Sequence, residues 1–335
     1  MEKTKRTPPS LRSKWLYWSR SLSNLLRMGH CAPTVMQTLL DVSGAQQEWL
    51  VKLSAGMPGG IGNTGFECGA ITSPLVFMGL RDGLQEMDRG LPVIIDKGHT
   101  LCQDFLECHK TFQCKQIRGQ DRFPRHCIRP VCLAPELCLA ATSHNSWTAI
   151  PAETRESYCR IYSYWAQNNF HCAQAVLDHL HYTTPEHQEL FDAVSAFMGG
   201  TLFMGMTCSA FTAGVMAVGL RSGEIENSPP RVIRMIARMT TGGNAFDETI
   251  NKFNRSMNAG YRMSKWFVKE FRSTQCQAIT RCDFSTQTGV SQYIANDCVS
   301  KCREIAKKVA EMVQKTLLDS EAAPSAGLDR NVTTP

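Results

Sequence analysis

An internal repeat constrains the fold of this chain more than any other feature of its sequence. The tripeptide His30-Cys31-Ala32 returns 141 residues later as His171-Cys172-Ala173. Four further matches follow in the same order: Ser54–Gly59 with Ser195–Gly200, Cys68–Thr72 with Cys208–Thr212, Gly79–Arg81 with Gly219–Arg221, and Gln113–Ile117 with Gln275–Ile279. Self-similarity at a fixed distance indicates copies of one structural unit. We therefore expect two tandem copies of one domain, docked in a pseudo-two-fold arrangement.

Changes in composition set the expected domain boundaries. The 335 residues suffice for two domains with their own cores. We predict a first domain at 1–140 that includes a basic N-terminal helix, a polar linker at 141–155, a second domain at 156–318, and a flexible tail at 319–335 that is rich in Ala, Ser, Gly and Pro.

Apolar residues recur at steps of three and four, and no run of alternating apolar and polar residues predicts a strand. The fold class is therefore expected to be all-α, with each copy a helical bundle. Near the N-terminus, one apolar stripe predicts an amphipathic helix docked through these residues: Leu11, Trp15, Trp18, Leu22 and Leu25. The segment 229–261, which lengthens the second copy, is predicted to be helical with Phe246, Ile250, Phe253 and Met257 on one face.

The ends of the two copies are expected to differ. In the second copy, Cys298 and Cys302 lie one turn apart on the apolar stripe of a long helix. In the first copy, Pro130 and Pro135 predict an interrupted, loop-like segment at the corresponding place.

Charge and hydropathy exclude several classes of function. The net charge is +6, but its basic excess lies in the first thirty residues, which argues against a nucleic-acid-binding body. The uncharged run 193–220 is long enough to cross a bilayer, yet five glycines interrupt it, so no membrane span is expected. No apolar secretory signal stands at the N-terminus, which predicts a cytoplasmic protein.

Fifteen cysteines require a chemical explanation. In a reducing compartment, metal ligands or redox thiols are more common than structural disulfides. Cys172 and Cys208 each stand at the predicted start of a helix, as Cys31 and Cys68 do in the first copy. The positive end of a helix dipole favours a thiolate there. Any single cysteine can be a packing residue, but the recurrence of the placement favours a function.

The order of cysteines resembles that of the C-GCAxxG-C-C family of redox-active proteins. Cys172, Cys208-Ser209-Ala210, Cys276 and Cys302-Arg303-Glu304-Ile305 carry the likeness, which extends over 155–317 and more weakly over 15–140. Ser209 stands where the motif has Gly, and Ala213 and Ser73 replace its last Gly.

The resemblance implies a helical domain with four characteristic cysteines in each copy. The candidate ligands in the second copy are Cys172, Cys208, Cys276 and Cys302, with Cys298 as a further metal ligand; in the first copy they are Cys31, Cys68, Cys114 and Cys132, with Cys127 as a further one. Related domains accompany haems and an iron–sulfur centre in split-Soret cytochromes, but no Cys-x-x-Cys-His motif for covalent haem is found here.

The leading hypothesis is a redox protein that binds 2Fe-2S or 4Fe-4S clusters and passes electrons to an unidentified electron-transfer partner protein. One alternative is a metal-free dithiol that cycles between thiols and a disulfide. Another is a helical scaffold stabilised by zinc, although the chain lacks the Cys-x-x-Cys pairs typical of such sites. The sequence leaves open whether the protein is an enzyme and whether it forms a homo-oligomer.

Overall fold

The computed structural model describes residues 11–87, 90–119, 125–143, 150–182 and 184–322. Within these ranges the chain is built from helices, and its extended pairings are isolated bridges. The prediction of an all-α protein with two tandem copies is therefore confirmed. No helix of the described ranges combines the length and the apolar character needed to cross a bilayer. The predicted domain boundaries stay predictions, and residues 144–149 of the predicted linker and 323–335 of the predicted tail lie outside the described residues.

The first copy contains seven α-helices in its described part. They are α1 (Leu11–Met28), α2 (Cys31–Ser43), α3 (Trp49–Leu53), α4 (Gly69–Asp82), α5 (Val93–His109), α6 (Cys114–Arg118) and α7 (Ile128–Thr142). Short 3-10 helices at Ser54–Gly56 and Arg125–Cys127 extend α3 and introduce α7.

The second copy repeats this order and adds to it. Its helices are α8 (Ala152–Gln167), α9 (Cys172–His179), α10 (Gln188–Ala193), α11 (Ser209–Ser222), α12 (Pro229–Thr241), α13 (Lys252–Phe271), α14 (Cys276–Thr280), α15 (Gln287–Ala295) and α16 (Cys298–Ala322). A 3-10 helix at Pro185–His187 leads into α10. Helices α9, α11, α14 and α16 correspond to α2, α4, α6 and α7, because equivalent cysteines stand at or near their starts.

Helix α1 exists, but it does not dock through the predicted apolar stripe. Trp15 is 77% exposed, and Trp18 and Leu22 are exposed as well. The buried face instead contains Asn24, whose side-chain amide donates hydrogen bonds to Thr38 at 3.1 Å and to Asp41 at 2.9 Å, both on α2. These bonds hold the Asn24 face of α1 against α2, so Trp15, Trp18 and Leu22 stay exposed and Leu25 is only half-buried.

Helix α8, by contrast, buries the large apolar residues of one of its faces. Tyr158, Ile161 and Trp165 are 3% exposed or less. The indole of Trp165 packs against Phe203 and Phe284, with ring centroids 5.1 Å and 6.2 Å away. Large aromatic surfaces of this kind dominate core energetics, so α8 is firmly held where α1 is only partly covered.

Two local predictions were wrong. The segment that carries Pro130 and Pro135 is α7, a helix, and not an interrupted loop. Pro130 lies in the first turn, where an N–H has no partner within the helix, and Pro135 is accommodated in the interior. In the second copy, 229–261 is not continuously helical: α12 ends at the left-handed Gly242 and α13 begins after Asn251, so Phe246 and Ile250 lie in the connection.

The two copies dock about a pseudo-two-fold axis through equivalent glycines. Gly79 of α4 lies against the carbonyls of Asp192 and Ala193, so close that a Cβ would lie 2.6 Å and 2.7 Å from their oxygens. Gly219 of α11 lies in the same way against Lys52, where the distance would be 2.6 Å. This exchange of equivalent contacts is the signature of an isologous interface.

Glu67 and Thr207 meet on this axis. The two positions are equivalent, since each forms an isolated bridge with the residue before a cysteine, Gln113 or Gln275. The buried carboxylate of Glu67 accepts hydrogen bonds from the Thr207 backbone N–H at 3.0 Å and from the Thr207 hydroxyl. The docking of the copies is therefore specified by polar contacts as well as by close packing.

Candidate functional site

Four cysteines of the second copy converge from four helices. Cys172 is the first residue of α9, Cys208 immediately precedes α11, Cys276 is the first residue of α14, and Cys302 lies in the second turn of α16. All four line one small cavity, together with Ser209 and other residues of the same helices. Its volume of about 10 Å³ has room for about one water molecule.

Backbone hydrogen bonds hold two of these helix starts together. The N–H of Cys208 donates to Thr274 at 2.7 Å, and the N–H of Cys276 donates to Met206 at 2.7 Å. In the first copy, Cys68 donates to Phe112 at 2.8 Å and Cys114 donates to Phe66 at 2.6 Å. The same pair of bonds therefore positions the second and third cysteines in each copy.

The sulfurs of the second copy influence one another electrostatically. Burial raises the pKa of the Cys276 thiol, and negative charge on Cys208 and Cys172 raises it further. The pKa of Cys172 is raised by burial and by Cys302, while a backbone hydrogen bond from Gly199 opposes the rise. Burial raises the pKa of Cys302 to about 12. Without a compensating cation, the four sulfurs therefore stay largely protonated at neutral pH.

Two hydroxyl groups support this cluster. The phenol of Tyr293, which is fully buried, donates to Sγ of Cys302 at 3.4 Å. Ser209 directly follows Cys208, where the motif GCAxxG has Ala rather than Gly, and its hydroxyl accepts hydrogen bonds from the backbone N–H groups of Gly200 at 3.2 Å and Thr201 at 3.3 Å. The substitution is therefore compatible with the loop, because its hydroxyl satisfies buried donors.

The corresponding cluster of the first copy consists of Cys31, Cys68, Cys114 and Cys127. The pKa of Cys31 is raised by burial and then by charge on Cys114 and Cys127. The Cys68 thiol donates a hydrogen bond to Cys114, which raises the pKa of Cys68 and, with help from Arg118, lowers that of Cys114. Cys114 is thus the sulfur of this cluster that most readily becomes a thiolate.

Not every candidate cysteine joins a cluster. Burial alone raises the pKa of Cys132 to about 11, and no other cysteine contributes to that shift. The structure therefore brings Cys127, rather than Cys132, together with the other three cysteines of the first copy. In the second copy, the thiols of Cys298 and Cys282 hydrogen-bond to each other beside the cluster. Cys298 is consequently a neighbour of the four converging sulfurs and a weaker candidate ligand.

A histidine precedes the first cysteine of each copy, and the two histidines differ. His171 accepts the backbone N–H of Gln174 at Nδ1, at 3.2 Å, so its Nε2–H donates to the Ser195 carbonyl at 3.1 Å. His30 caps no backbone N–H of α2, and its Nε2 has no hydrogen-bond partner although the side chain is 4% exposed. The repeat in the sequence singled out these two histidines. Their different hydrogen-bond partners became visible only in the folded structure.

Comparison with known families gives one match in each copy. The family described as "Putative redox-active protein (C_GCAxxG_C_C)" matches residues 29–140 and 170–316. These ranges include all eight clustered cysteines. The chain belongs to this family. Within this C_GCAxxG_C_C protein, the two matched ranges are the two copies of the repeat, and the sequence-based recognition is confirmed.

Comparison with curated proteins and with solved structures found no match. Among the described residues of the C_GCAxxG_C_C protein, no group of three His, Cys, Asp or Glu side chains is already arranged to hold a single metal ion. The family thus assigns a redox-active, cysteine-containing protein. The family match does not identify what the cysteines bind.

Proposed function

We propose that each copy binds an iron–sulfur cluster through four cysteines and that the protein transfers electrons. The supporting observation is the convergence of four soft sulfur donors, each at or near a helix start, in both copies. The ligands would be Cys172, Cys208, Cys276 and Cys302 in the second copy, and Cys31, Cys68, Cys114 and Cys127 in the first. Such a cluster would supply one-electron chemistry.

The electrostatics of the sulfurs fit a bound cation. The raised pKa values of Cys172 and Cys276 arise from burial and mutual repulsion, and an iron ion would offset both effects. Helix N-termini add partial positive charge beside Cys208 and Cys276. The residues present therefore fit an iron–sulfur group better than they fit four isolated thiols.

A metal-free dithiol is the less favoured candidate in the second copy. Thiol–disulfide exchange requires a thiolate that an external thiol can reach. Burial raises the pKa of Cys302 to about 12, and burial also raises the pKa of Cys172, so both thiols stay largely protonated at neutral pH. These properties disfavour exchange with a soluble partner.

The test is anaerobic purification of the full chain, followed by iron, acid-labile sulfide and zinc analysis and by electron paramagnetic resonance of the reduced sample. We expect iron and sulfide in similar amounts and a reduced-state signal. Cys208→Ser should lower the iron content by about half, because one copy loses a ligand. Cys159→Ser is the control, since that cysteine lies on α8 outside both clusters.

A matched pair in the first copy tests the ligand assignment. Cys127→Ser should remove the iron of that copy, whereas Cys132→Ser, five residues away, should leave it bound. Zinc in place of iron would contradict the proposed cofactor. Equal iron content in all four variants would contradict the ligand set, and a colourless protein that gains thiols on reduction would support the dithiol instead.

A further inference from the structure

The cluster of the first copy borders an apolar cavity that is much larger than the cavity beside the cluster of the second copy. The volume is about 430 Å³, which lies in the range of small-molecule sites. Its walls come from α1, α12 and the segments that carry Cys31, Cys114 and Cys127. The cavity beside the second cluster holds about 10 Å³. The two centres therefore differ in what can approach them.

The different docking of α1 and α8 accompanies this contrast. In the second copy, α8 buries the large ring of Trp165 in the core. In the first copy, α1 contributes Leu22, Leu25 and Leu26 to the cavity wall, and the inserted helix α12 contributes Ile236 to the other side. The insertion in the second copy thus completes a pocket over the first cluster.

Polar groups are few in this pocket. Among the described residues that line it, Arg118 is the one with a fixed charge, and it is exposed. His30 also lines the pocket, buried to 96%. Burial lowers the pKa of His30 to about 4 and hydrogen bonding with the side chains of Asn254 and Asn251 opposes this shift, but Nε2 itself has no partner of normal geometry, and Oδ1 of Asn254 is likewise without one. A buried polar atom without a partner destabilises a fold unless something satisfies it.

The second copy provides the matched comparison. There the equivalent His171 uses both ring nitrogens within the protein, one toward Gln174 and the other toward Ser195. His30 is followed by the same Cys-Ala dipeptide, yet its ring lies against Phe253, with centroids 5.8 Å apart, at the pocket wall. A histidine that is saturated in one copy is therefore available to a ligand in the other.

We propose that this pocket binds an uncharged apolar molecule that carries a carbonyl or hydroxyl oxygen, the chemistry that quinones and hydroquinones share, with that oxygen hydrogen-bonded to Nε2 of His30. The aliphatic and sulfur-rich walls supply apolar contact, and the scarcity of charged groups disfavours ions. The ligand would lie against the sulfurs of the first cluster. The inference concerns binding alone and does not depend on the presence of iron.

The probe is tetramethyl-1,4-benzoquinone, whose four ring carbons other than the carbonyl carbons are all methylated, so that thiols do not add to it readily. Binding to the full chain is measured by ligand-detected nuclear magnetic resonance. The comparison ligand is 1,2,4,5-tetramethylbenzene, which has a similar apolar surface and no oxygen. His30→Leu should weaken quinone binding about tenfold, as expected for one lost buried hydrogen bond, and should leave binding of the hydrocarbon unchanged within about twofold.

A second matched pair, on α12, keeps the test valid if His30→Leu fails to fold. Ile236→Trp should fill the pocket and weaken both ligands by about tenfold or more. Ile233→Trp is the control, because Ile233 lies one turn earlier, is 64% exposed and does not line the pocket. Equal effects of the two tryptophans, or no binding of either ligand to the unmodified chain, would overturn the proposal.

Two further results would bear on the hydrogen bond to His30 and on the proposed clusters. If His30→Leu weakens both ligands equally, the hydrogen bond is absent and the proposal fails. Iron is quantified in the same samples, so quinone binding to an iron-free chain would count against the proposed clusters and in favour of the pocket.

Discussion

The glycines at the pseudo-two-fold interface give a stability prediction that follows from measured distances. In Gly79→Ala, the new Cβ would lie 2.6 Å from the Asp192 oxygen and 2.7 Å from the Ala193 oxygen. Ordinary contacts of this kind begin at 3.4 Å. The backbones of α4 and α10 must therefore separate by about 0.8 Å, and rigid carbonyls rather than a flexible side chain have to move.

Two opposing effects set the size of the change. Overpacking of a well-packed contact costs about 1–3 kcal/mol. Alanine in place of a helical glycine returns up to about 1 kcal/mol through helix propensity. We expect a net loss of about 1–2 kcal/mol for Gly79→Ala, and a similar loss for the equivalent Gly219→Ala, whose Cβ would lie 2.6 Å from the Lys52 oxygen.

Urea unfolding followed by circular dichroism measures this loss. With a slope of about 3 kcal/mol/M, the midpoint should fall by about 0.5 M in either variant. Gly243→Ala is the control, because that glycine is exposed and the new Cβ would lie 3.5 Å from the Arg238 side chain, its nearest neighbour. The urea midpoint of this variant should equal that of the unmodified chain within experimental error. A Gly79→Ala protein as stable as the control would refute the close approach of the two helices.

Three other predictions concern single side chains. Asp96 is buried, its carboxylate oxygens have no hydrogen-bond partner, and burial raises its pKa to about 6. The free energy of unfolding should therefore fall as the pH rises from about 4 through 6. In urea titrations at several pH values, Asp96→Asn should remove on the order of 2 kcal/mol of that fall. Thr286 caps α15 by accepting the N–H of Gly289 at 3.1 Å, so Thr286→Ala should lower the free energy of unfolding by about 1 kcal/mol, and an unchanged midpoint would exclude the cap. If the second cluster binds iron, Tyr293→Phe should lower its reduction potential in redox titrations, because the reduced cluster loses the hydrogen bond to Cys302; an unchanged or higher potential would contradict this.

The sequence predicted well where local signals and tertiary packing agree. Helical periodicity and the repeat gave the all-α class and the two copies, and the positions of Cys31, Cys68, Cys172 and Cys208 at helix starts were predicted from the small, apolar residues that follow them. The uncharged run 193–220 is indeed interrupted, since one helix ends at Ala193 and the next begins at Ser209. These features depend on interactions within a short stretch of chain.

Predictions failed where a distant partner decides the outcome. The rotation of α1 is fixed by the bonds from Asn24 to Thr38 and Asp41, so the apolar periodicity around Trp18 indicated the wrong buried face. That Cys127 lies beside Cys31 and Cys114 depends on how α7 packs beside α2, which the sequence around its prolines does not reveal. The large cavity also could not be predicted, since one of its walls is an insertion from the other copy.

The hydrogen-bonded pair on the axis has a consequence for how the chain assembles during synthesis. The first copy leaves the ribosome before the second, so its docking surface is exposed to other nascent chains for a time. If two first copies paired there, Glu67 would face another Glu67, and two buried carboxylates without a donor between them would repel each other. Pairing with a second copy instead offers Thr207, whose N–H and hydroxyl donate to the carboxylate. Because the equivalent positions carry Glu67 in the first copy and Thr207 in the second, a first copy pairs better with a second copy than with another first copy. A symmetric homodimer has the same residue at both positions and cannot make this distinction.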